Sequence, residues 1–360
     1  GTSGKPFRGG FDGGNHTITG LKINEKSDDA KGLFGYVEVK YDYDMQTPIY
    51  LDYREKTYIK NLKIKDANIS NTGTAGILIG ELTYDTNNPP PTAFNIHSPV
   101  LTIDSVHFID GTVTSTEKDA GVLVGNINII PRAYNTPYLN VNNMYSSATI
   151  IGNHSAGIIG YINDYFESAI GISLKITMTN FQNVGKINTL PGFETENNNR
   201  RSAVVGSIYG TARLDLSNYI INSTSNDYNI WHYLFDDSYF IGYYEKTHNF
   251  TYNLSNGYYI SKANPNKNKT ITSSSNLKDR SLYDDWTDFD KYWKIEEVDG
   301  ITRIPVLKDI NFNYTNVSEI NIERYDEKSL LDYIDGENGL YYVNYETVSN
   351  DKVIDIGYKD

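Results

Sequence analysis

Pairs of carboxylates are the first groups in this sequence that could do chemistry, because glycoside hydrolysis uses two of them about 5–10 Å apart. Asp66 and Asp110 occupy equivalent positions in two neighbouring segments of similar sequence, so stacking of those segments would bring them together. The alternative is that each carboxylate starts a bend by accepting a backbone hydrogen bond, which the residue type favours. A denser acidic patch consists of Asp284, Asp285, Asp288 and Asp290. These four carboxylates could take part in catalysis or bind calcium. Alternatively, two of them cap a short helix and the others are solvated. The patch lacks the glycine and the distal glutamate of an EF-hand calcium site.

Histidine and cysteine chemistry is poorly represented. The six histidines, at positions 16, 97, 107, 154, 232 and 248, show no spacing typical of metal ligands, and there is no cysteine. Zinc sites need such ligands in clusters, so we expect no metal and no cofactor. We expect a structural role for His16 and no catalytic residue in the chain; an enzyme is the alternative, considered below.

Aromatic and cationic side chains offer more plausible binding chemistry. Tyrosine and tryptophan stack on sugar rings and anchor protein partners, and an arginine pair can hold an anionic glycan. The alternatives are core packing for the aromatic residues and ordinary surface charge for the arginines. The candidate ligand-binding residues are Trp231, Tyr233, Tyr239, Arg200 and Arg201.

A short glycine-flanked apolar stretch recurs along the chain and organises these candidates. The repeated glycines are Gly32, Gly35, Gly76, Gly80, Gly121, Gly125, Gly157, Gly160 and Gly206. The closing glycines at 35, 80, 125, 160 and 206 lie 45, 45, 35 and 46 residues apart. Self-similarity at such a period indicates a repeat architecture. We expect the glycines to allow close approach of backbone layers or sharp turns, and the apolar residues to fill the interior.

Each repeat contains three short apolar segments rich in β-branched residues, and helical periodicity is weak. Three short strands cannot bury a core alone, but stacked repeats can. We therefore predict an all-β fold, a right-handed parallel β-helix of about six rungs; an up-and-down sandwich is the rival. A small polar residue recurs before an apolar one and should form a ladder at a bend. These residues are Asn61, Ser105, Asn143, Asn180 and Asn218.

The repeat fades after about residue 247, which suggests three parts. We assign residues 1–260 to the β-helix repeats, and residues 261–310 to a linker and an aromatic C-terminal cap over the last rung. Residues 311–360 would form a small appended module or the start of a next domain. The chain begins with Gly1 rather than Met, so we expect it to be a piece, itself monomeric, of a larger polypeptide.

Charge and composition limit the partners. The net charge of −13 argues against binding nucleic acid. No apolar run is long enough to span a membrane, so we expect no membrane insertion. The absence of cysteine is common in surface proteins of Gram-positive bacteria, and we expect an extracellular, secreted or cell-surface location in such an organism.

The element at Gly32–Gly35 resembles the GLUG-motif repeats of bacterial surface proteins, which also occur beside the peptidase of the immunoglobulin A protease family of zinc metallopeptidases. The segment from Phe7 to Ile18 is similar to the common opening of such arrays. Trp293, Asp299-Gly300 and Pro305-Val306-Leu307 are similar to their common end. The resemblance covers roughly residues 1–308. It implies a non-peptidase region, because this chain has no His-Glu-x-x-His sequence.

Two functional hypotheses follow from these observations. The first is a non-catalytic extracellular module that serves as spacer or adhesive scaffold, binds a host glycan or glycoprotein, and assists an immunoglobulin A protease-like peptidase. The second is a carbohydrate-active β-helix enzyme, either a polysaccharide lyase or a glycoside hydrolase. Convergence of three acidic or basic side chains in one groove would favour the enzyme, whereas a shallow, even surface would favour binding.

Overall fold

The computed structural model describes residues 1–40, 57–85, 98–130, 136–152, 155–164, 174–188, 202–221, 223, 241–244, 250–260, 270–271, 279–295, 297–298, 301–302, 305–308, 321–324, 341–348 and 351–358. Within these ranges the protein is all-β apart from short helical turns, among them a 3-10 helix (Arg280–Tyr283) and α1 (Phe289–Tyr292). The strands are β1 (Gly9–Thr19), β2 (Lys22–Asn24), β3 (Phe34–Lys40), β4 (Tyr58–Lys65), β5 (Asn68–Asn71), β6 (Ala75–Gly76), β7 (Ile79–Asp85), β8 (Val100–Ile109), β9 (Thr112–Ser115), β10 (Asp119–Ile130), β11 (Tyr138–Ser146), β12 (Thr149–Gly152), β13 (Ser155–Asn163), β14 (Leu174–Asn183), β15 (Lys186–Asn188), β16 (Val205–Tyr209), β17 (Ala212–Ile221), β18 (Ile241–Tyr244), β19 (Phe250–Ile260), β20 (Thr270–Ile271), β21 (Trp293–Lys294), β22 (Glu297–Val298), β23 (Ile301–Thr302), β24 (Val306–Leu307), β25 (Asn321–Arg324), β26 (Tyr341–Val348) and β27 (Asp351–Tyr358).

Strands that lie one repeat apart in sequence pair in parallel and build three large sheets. The nine-stranded sheet has the order β20-β19-β17-β14-β11-β8-β4-β1-β25, the seven-stranded sheet β18-β16-β13-β10-β7-β3, and the five-stranded sheet β15-β12-β9-β5-β2. In these three sheets the described exception to parallel pairing is β25, which is antiparallel to β1. The arrangement is consistent with a β-solenoid. The rival sandwich was wrong, because an up-and-down sandwich has antiparallel neighbours.

Equivalent residues of successive repeats are direct neighbours in the nine-stranded sheet. Leu62 pairs with Val106, Val106 with Met144, Met144 with Phe181, and Phe181 with Tyr219. All five side chains are buried in one continuous core. The rings of Phe181 and Tyr219 stack with their centroids 5.6 Å apart. The stack therefore buries what a single repeat would leave exposed.

The repeated glycines allow close approach between backbone layers. A Cβ atom at Gly80 would lie 2.7 Å from the carbonyl oxygen of Gly35, and one at Gly125 would lie 2.7 Å from the carbonyl oxygen of Gly80. The nine repeated glycines lie in described ranges, and none has a positive φ. The prediction of close approach is confirmed. Some of these glycines also lie at bends: Gly32 is in a bend, and a Cβ atom at Gly121 would clash with the carbonyl oxygen of Val124, three residues further along the chain. The apolar residues between them are buried, for example Leu78 and Leu123.

The small polar residues of the repeat have a left-handed backbone conformation. Asn61, Ser105, Asn143, Asn180 and Asn218 have φ between 51° and 56°. This left-handed conformation suits asparagine better than most residues, and it kinks each strand of the nine-stranded sheet. The column extends further than predicted, to Asn15 and Asn256.

The predicted ladder is present in part of this column. Asn218 Nδ2 donates to Asn180 Oδ1 at 3.2 Å, and Asn143 Nδ2 donates to Ser105 Oγ at 3.0 Å. Asn180 departs from the pattern, because its Nδ2 donates to Asn142 Oδ1 at 3.0 Å. The column thus combines a backbone kink with side-chain bonds between layers.

Strand β1 contains a backbone kink. Gly14 and Asn15 have φ of 59° and 64°, and both lie within β1. The register of β1 against β4 shifts between Asp12 and His16, so the pairing is irregular there. His16 is buried in β1 just after this shift.

The described residues between 279 and 308 (279–295, 297–298, 301–302 and 305–308), called the flank segment below, include residues that pack against the side of the nine-stranded sheet. Their buried aromatic residues, including Trp286 and Trp293, form a second core with Ile220 of β17. Tyr145 of β11 and Tyr258 of β19 pack against the same core. The segment therefore lies across β11 to β19, whereas the sequence suggested a cap over the last rung. Its division from the repeats at residues 260 and 310 stays a prediction.

The kinked asparagines hold the flank segment through hydrogen bonds. Asn218 Nδ2 donates to the Thr287 carbonyl at 3.3 Å, and Asn256 Nδ2 donates to the Asp285 carbonyl at 2.9 Å. Trp293 Nε1 donates to Asn180 Oδ1 at 3.3 Å. Because these contacts come from β14, β17 and β19, the segment bridges three successive layers.

The described part of residues 311–360 is also β-structure. Strand β25 pairs with β1 at the edge of the nine-stranded sheet, and β26 and β27 form an antiparallel pair. Pairing by β25 occupies backbone groups of β1 that would otherwise form an open sheet edge. The assignment of this part to an appended module stays a prediction.

Candidate functional site

The ligand-binding residues predicted from the sequence lie outside the described residues. They are Trp231, Tyr233, Tyr239, Arg200 and Arg201. Their proposed contacts with a ligand stay predictions.

Asp66 and Asp110 lie beside each other, as the repeat pattern predicted. They follow the paired residues Lys65 and Ile109, and both have a φ of 54°. The amide of Asp66 donates to the Ile109 carbonyl at 2.9 Å. The amide of Asp110 donates to Ser147 Oγ at 2.8 Å. The carboxylate of Asp110 meets the Ser147 hydroxyl at 3.4 Å rather than a backbone amide. Both residues thus make the predicted bend, with a different hydrogen-bond pattern.

The carboxylates of the acidic patch, predicted from Asp284 to Asp290, do not converge on one site. Arg280 binds the carboxylates of Asp284 and Asp290, each at 3.2 Å. The carboxylate at the start of the 3-10 helix is that of Asp279, which accepts from the Ser281 amide at 3.0 Å. Asp288 precedes α1 and makes no side-chain capping bond there. Among the described residues no three His, Cys, Asp or Glu side chains converge as a metal site.

A groove of about 460 Å³ runs between the outer face of the nine-stranded sheet and the flank segment. Its volume is in the range of small-ligand sites. Strands β8, β11 and β14 supply its floor, β17 adds Asn218, and the flank segment supplies one wall. The residues that line it are Thr102, Asp104, Asn140, Val141, Asn142, Thr177, Thr179, Asn180, Asn218, Thr287, Asp288 and Tyr292.

Two parallel columns of outward-facing side chains form the floor. In the inner column, nearer the kinks, Asn142 Nδ2 donates to Asp104 Oδ1 at 2.8 Å. Thr179 and Ser217 share a hydrogen bond of 3.0 Å between their hydroxyl oxygens. These side chains are therefore committed to bonds between layers, and the inner column is mainly structural.

The outer column consists of Thr102, Asn140 and Thr177, which pair directly in register. Their side chains are half-buried and form no hydrogen bond with another residue of the described ranges. Adjacent strands are about 4.8 Å apart, so the column presents hydroxyl and amide groups at regular spacing, without partners in the described part of the chain. These three residues are the polar groups of the groove best placed to meet a ligand.

The flank segment adds one aromatic ring to this row. Tyr292 is half-buried at the end of α1 and lines the groove. Lys291 Nζ lies 4.7 Å from the centroid of that ring. A hydrogen bond with Tyr292 is the main cause that raises the pKa of Lys291, and Asp288 and Asp104 add to it. An ammonium group that holds its proton more tightly is poorly suited to act as a general base.

Two cations beside the floor, Lys175 and Arg213, are paired with one carboxylate. Asp215 continues the outer column beyond Thr177. Its carboxylate lies 3.3 Å from Lys175 Nζ and 3.0 Å from Arg213 Nε. The groove is lined by the carboxylates of Asp104 and Asp288, and no lysine or arginine is among its lining residues. Its wall and floor are thus neutral to negative.

A buried titratable pair lies further along the sheet. Lys63 and His107 are neighbours in the register of β4 and β8, and both are buried. Burial, with a smaller contribution from the charge of Lys63, lowers the pKa of His107 to about 3. Burial also lowers the pKa of Lys63, as does the charge of Lys65. Neither side chain lines the groove.

The groove could have been found in part from the sequence. Polar-apolar-polar triplets precede the kinked residues at the same distance. Those in the groove are Thr102-Ile103-Asp104, Asn140-Val141-Asn142 and Thr177-Met178-Thr179, and the pattern continues beyond it at Asp215-Leu216-Ser217. Such alternation places the outer residues of each triplet on the solvent face of a strand. The wall formed by Thr287, Asp288 and Tyr292 left no comparable signal, because nothing in that stretch indicates which surface it covers.

Comparisons with known proteins identify no family for this chain. No family model matches the chain, and no curated protein and no solved structure matches it either. Among the described residues, no helix is long and apolar enough to cross a membrane.

Proposed function

We propose that the chain is a non-catalytic, extracellular β-solenoid module of a bacterial surface protein that binds a host glycan or glycoprotein. In this proposal it is a right-handed parallel β-helix of about six rungs. The resemblance to GLUG-motif repeats suggests a scaffold that positions an immunoglobulin A protease-like peptidase or contributes to its substrate binding.

The groove is the observation that carries the binding role. Its floor combines an inner column of side chains bonded between layers with an outer column of hydroxyl and amide groups that have no partner among the described residues. The outer column stands on paired strands of the sheet, so its backbone positions are fixed before a ligand is bound, which favours binding.

The chemistry of the groove favours binding over catalysis. A glycosidase would need a carboxylate pair with one raised pKa, and a lyase would need a base beside a neutralising cation. Asp104 is held by hydrogen bonds from Asn142 and Ser105, at 2.8 and 3.4 Å. Lys291, whose ammonium group lies against the ring of Tyr292, has a raised pKa. The described lining of the groove therefore offers groups that donate and accept hydrogen bonds rather than an acid and a base.

Parallel binding and cleavage assays test the proposal. The purified 360-residue chain should bind one or more glycans, mucins or immunoglobulins on an array. It should release no shorter products when incubated with the bound polymers. Release of product from any polymer would refute the non-catalytic role, and the absence of binding to every glycan and glycoprotein would refute the binding role.

A further inference from the structure

We infer that the outer column of the groove, together with Tyr292, binds a neutral, hydroxyl-rich polysaccharide chain that lies across strands β8, β11 and β14. The inference rests on the proposed binding function and names the class of ligand and the residues that recognise it. It follows from the hydrogen-bonding capacity of the floor, the position of one aromatic ring and the sign of the charge.

The hydrogen-bonding groups of the outer column match a ligand rich in hydroxyl groups. The hydroxyls of Thr102 and Thr177 can donate and accept, and the amide of Asn140 supplies both functions from two different atoms. A sugar hydroxyl also donates and accepts, so it can satisfy any of these groups. Because the three residues repeat at about 4.8 Å from strand to strand, a polymer can meet the same chemistry in each layer.

The aromatic ring at the groove wall suits a sugar. Tyr292 adds an aromatic ring and a hydroxyl group beside a polar floor, and Lys291 Nζ lies 4.7 Å from the centroid of that ring. A tyrosine ring combines an apolar body with a polar hydroxyl, which suits a ligand that has both apolar and polar surface. A protein partner would be expected to need a larger apolar pocket for its anchors. Among the lining residues the apolar side chains are Val141, which is buried in the core, and Tyr292.

The charges around the groove discriminate against an acidic polymer. Asp104 and Asp288 line the groove, and no lysine or arginine is among its lining residues. Of the cations beside it, Lys175 and Arg213 share the carboxylate of Asp215, and Lys291 lies against the ring of Tyr292. The chain as a whole carries a net charge of −13. A uronate or sulfated glycan would therefore meet like charge both at a distance and in contact.

Affinity electrophoresis of the full chain tests this inference directly. The gels contain either a neutral polymer (galactomannan, xyloglucan or mannan) or an acidic one (polygalacturonate or chondroitin sulfate). We expect retardation by at least one neutral polymer and none by the acidic polymers. Thr177→Val keeps the β-branched shape and removes one hydroxyl, so it should weaken binding about fivefold, the loss expected for one hydrogen bond. Asn140→Ala should weaken binding at least as much.

The matched control is Thr114→Val, the same substitution at a half-buried position of β9 in the five-stranded sheet. It should leave retardation unchanged, and thermal denaturation should show that all variants fold. Retardation by an acidic polymer in preference to neutral ones would overturn the inference. So would unchanged binding in both Thr177→Val and Asn140→Ala; in either case the binding function itself would stand. No retardation by any polymer and no array signal would refute both.

Discussion

Substitution of Gly80 by alanine should destabilise the protein, because its Cβ position is occupied by the backbone of the preceding layer. An added Cβ atom would lie 2.7 Å from the Gly35 carbonyl oxygen, 2.7 Å from the Lys31 amide nitrogen and 2.8 Å from the Lys31 carbonyl oxygen. These are main-chain atoms, so no rotamer change can make room. Overpacking of this kind costs about 1–3 kcal/mol, and three backbone contacts place Gly80→Ala near the upper end.

Urea denaturation followed by circular dichroism measures this effect. We expect the midpoint to fall by the equivalent of about 3 kcal/mol with an unchanged slope. Gly4→Ala is the control, because nothing lies within 4 Å of the Cβ position at Gly4. If Gly80→Ala and Gly4→Ala unfold at the same urea concentration, close packing of layers is not the reason for the repeated glycines.

Two further predictions concern buried polar residues. Asn180→Ala places alanine at a φ of 52° and removes the hydrogen bonds to Asn218 and Trp293. It should therefore lower the free energy of unfolding, measured by urea denaturation, by about 2 kcal/mol and shift tryptophan fluorescence to the red. Unchanged fluorescence would contradict the attachment of the flank segment through Asn180. His107 has a folded-state pKa of about 3 against 6.5 when unfolded. The unfolded state therefore binds more protons between these values, and stability should be greatest above pH 6.5 and fall as the pH drops toward 3. His107→Gln should reduce this fall when denaturation at pH 4.5 and 7.5 is compared; an equal fall in the variant would show that other groups cause it.

The repeat could be predicted from the sequence because its physical cause is local and recurrent. Glycine recurs where any side chain would clash with the next layer, as at Gly125, and a kink-tolerant residue recurs where φ is positive, as at Asn143. Each occurrence of the glycine-flanked stretch reflects the same constraint. Five occurrences together therefore predicted parallel stacking, although each alone is a loose pattern. The sequence could not separate close approach from turning at the glycines, because glycine suits both.

The flank segment could not be placed from the sequence, because its aromatic residues show that something is covered but not what. The sign of its location lay in the sheet itself. Tyr219-Ile220-Ile221 in β17 is an uninterrupted apolar run, which indicates a strand covered on both faces. Ile220 packs in the second core with Trp286, whereas Tyr219 and Ile221 face the interior of the stack. The groove exists because the segment covers only part of that outer face.

The binding site in the groove can be observed in a crystal of the full chain soaked with an oligosaccharide from the neutral polymer that it binds. We expect sugar density in the groove, with hydroxyl groups within hydrogen-bond distance of Asn140 and Thr177 and a ring beside Tyr292. Intact glycosidic bonds should be visible in that density. Sugar bound on another surface, or a cleaved product in the groove, would contradict this expectation.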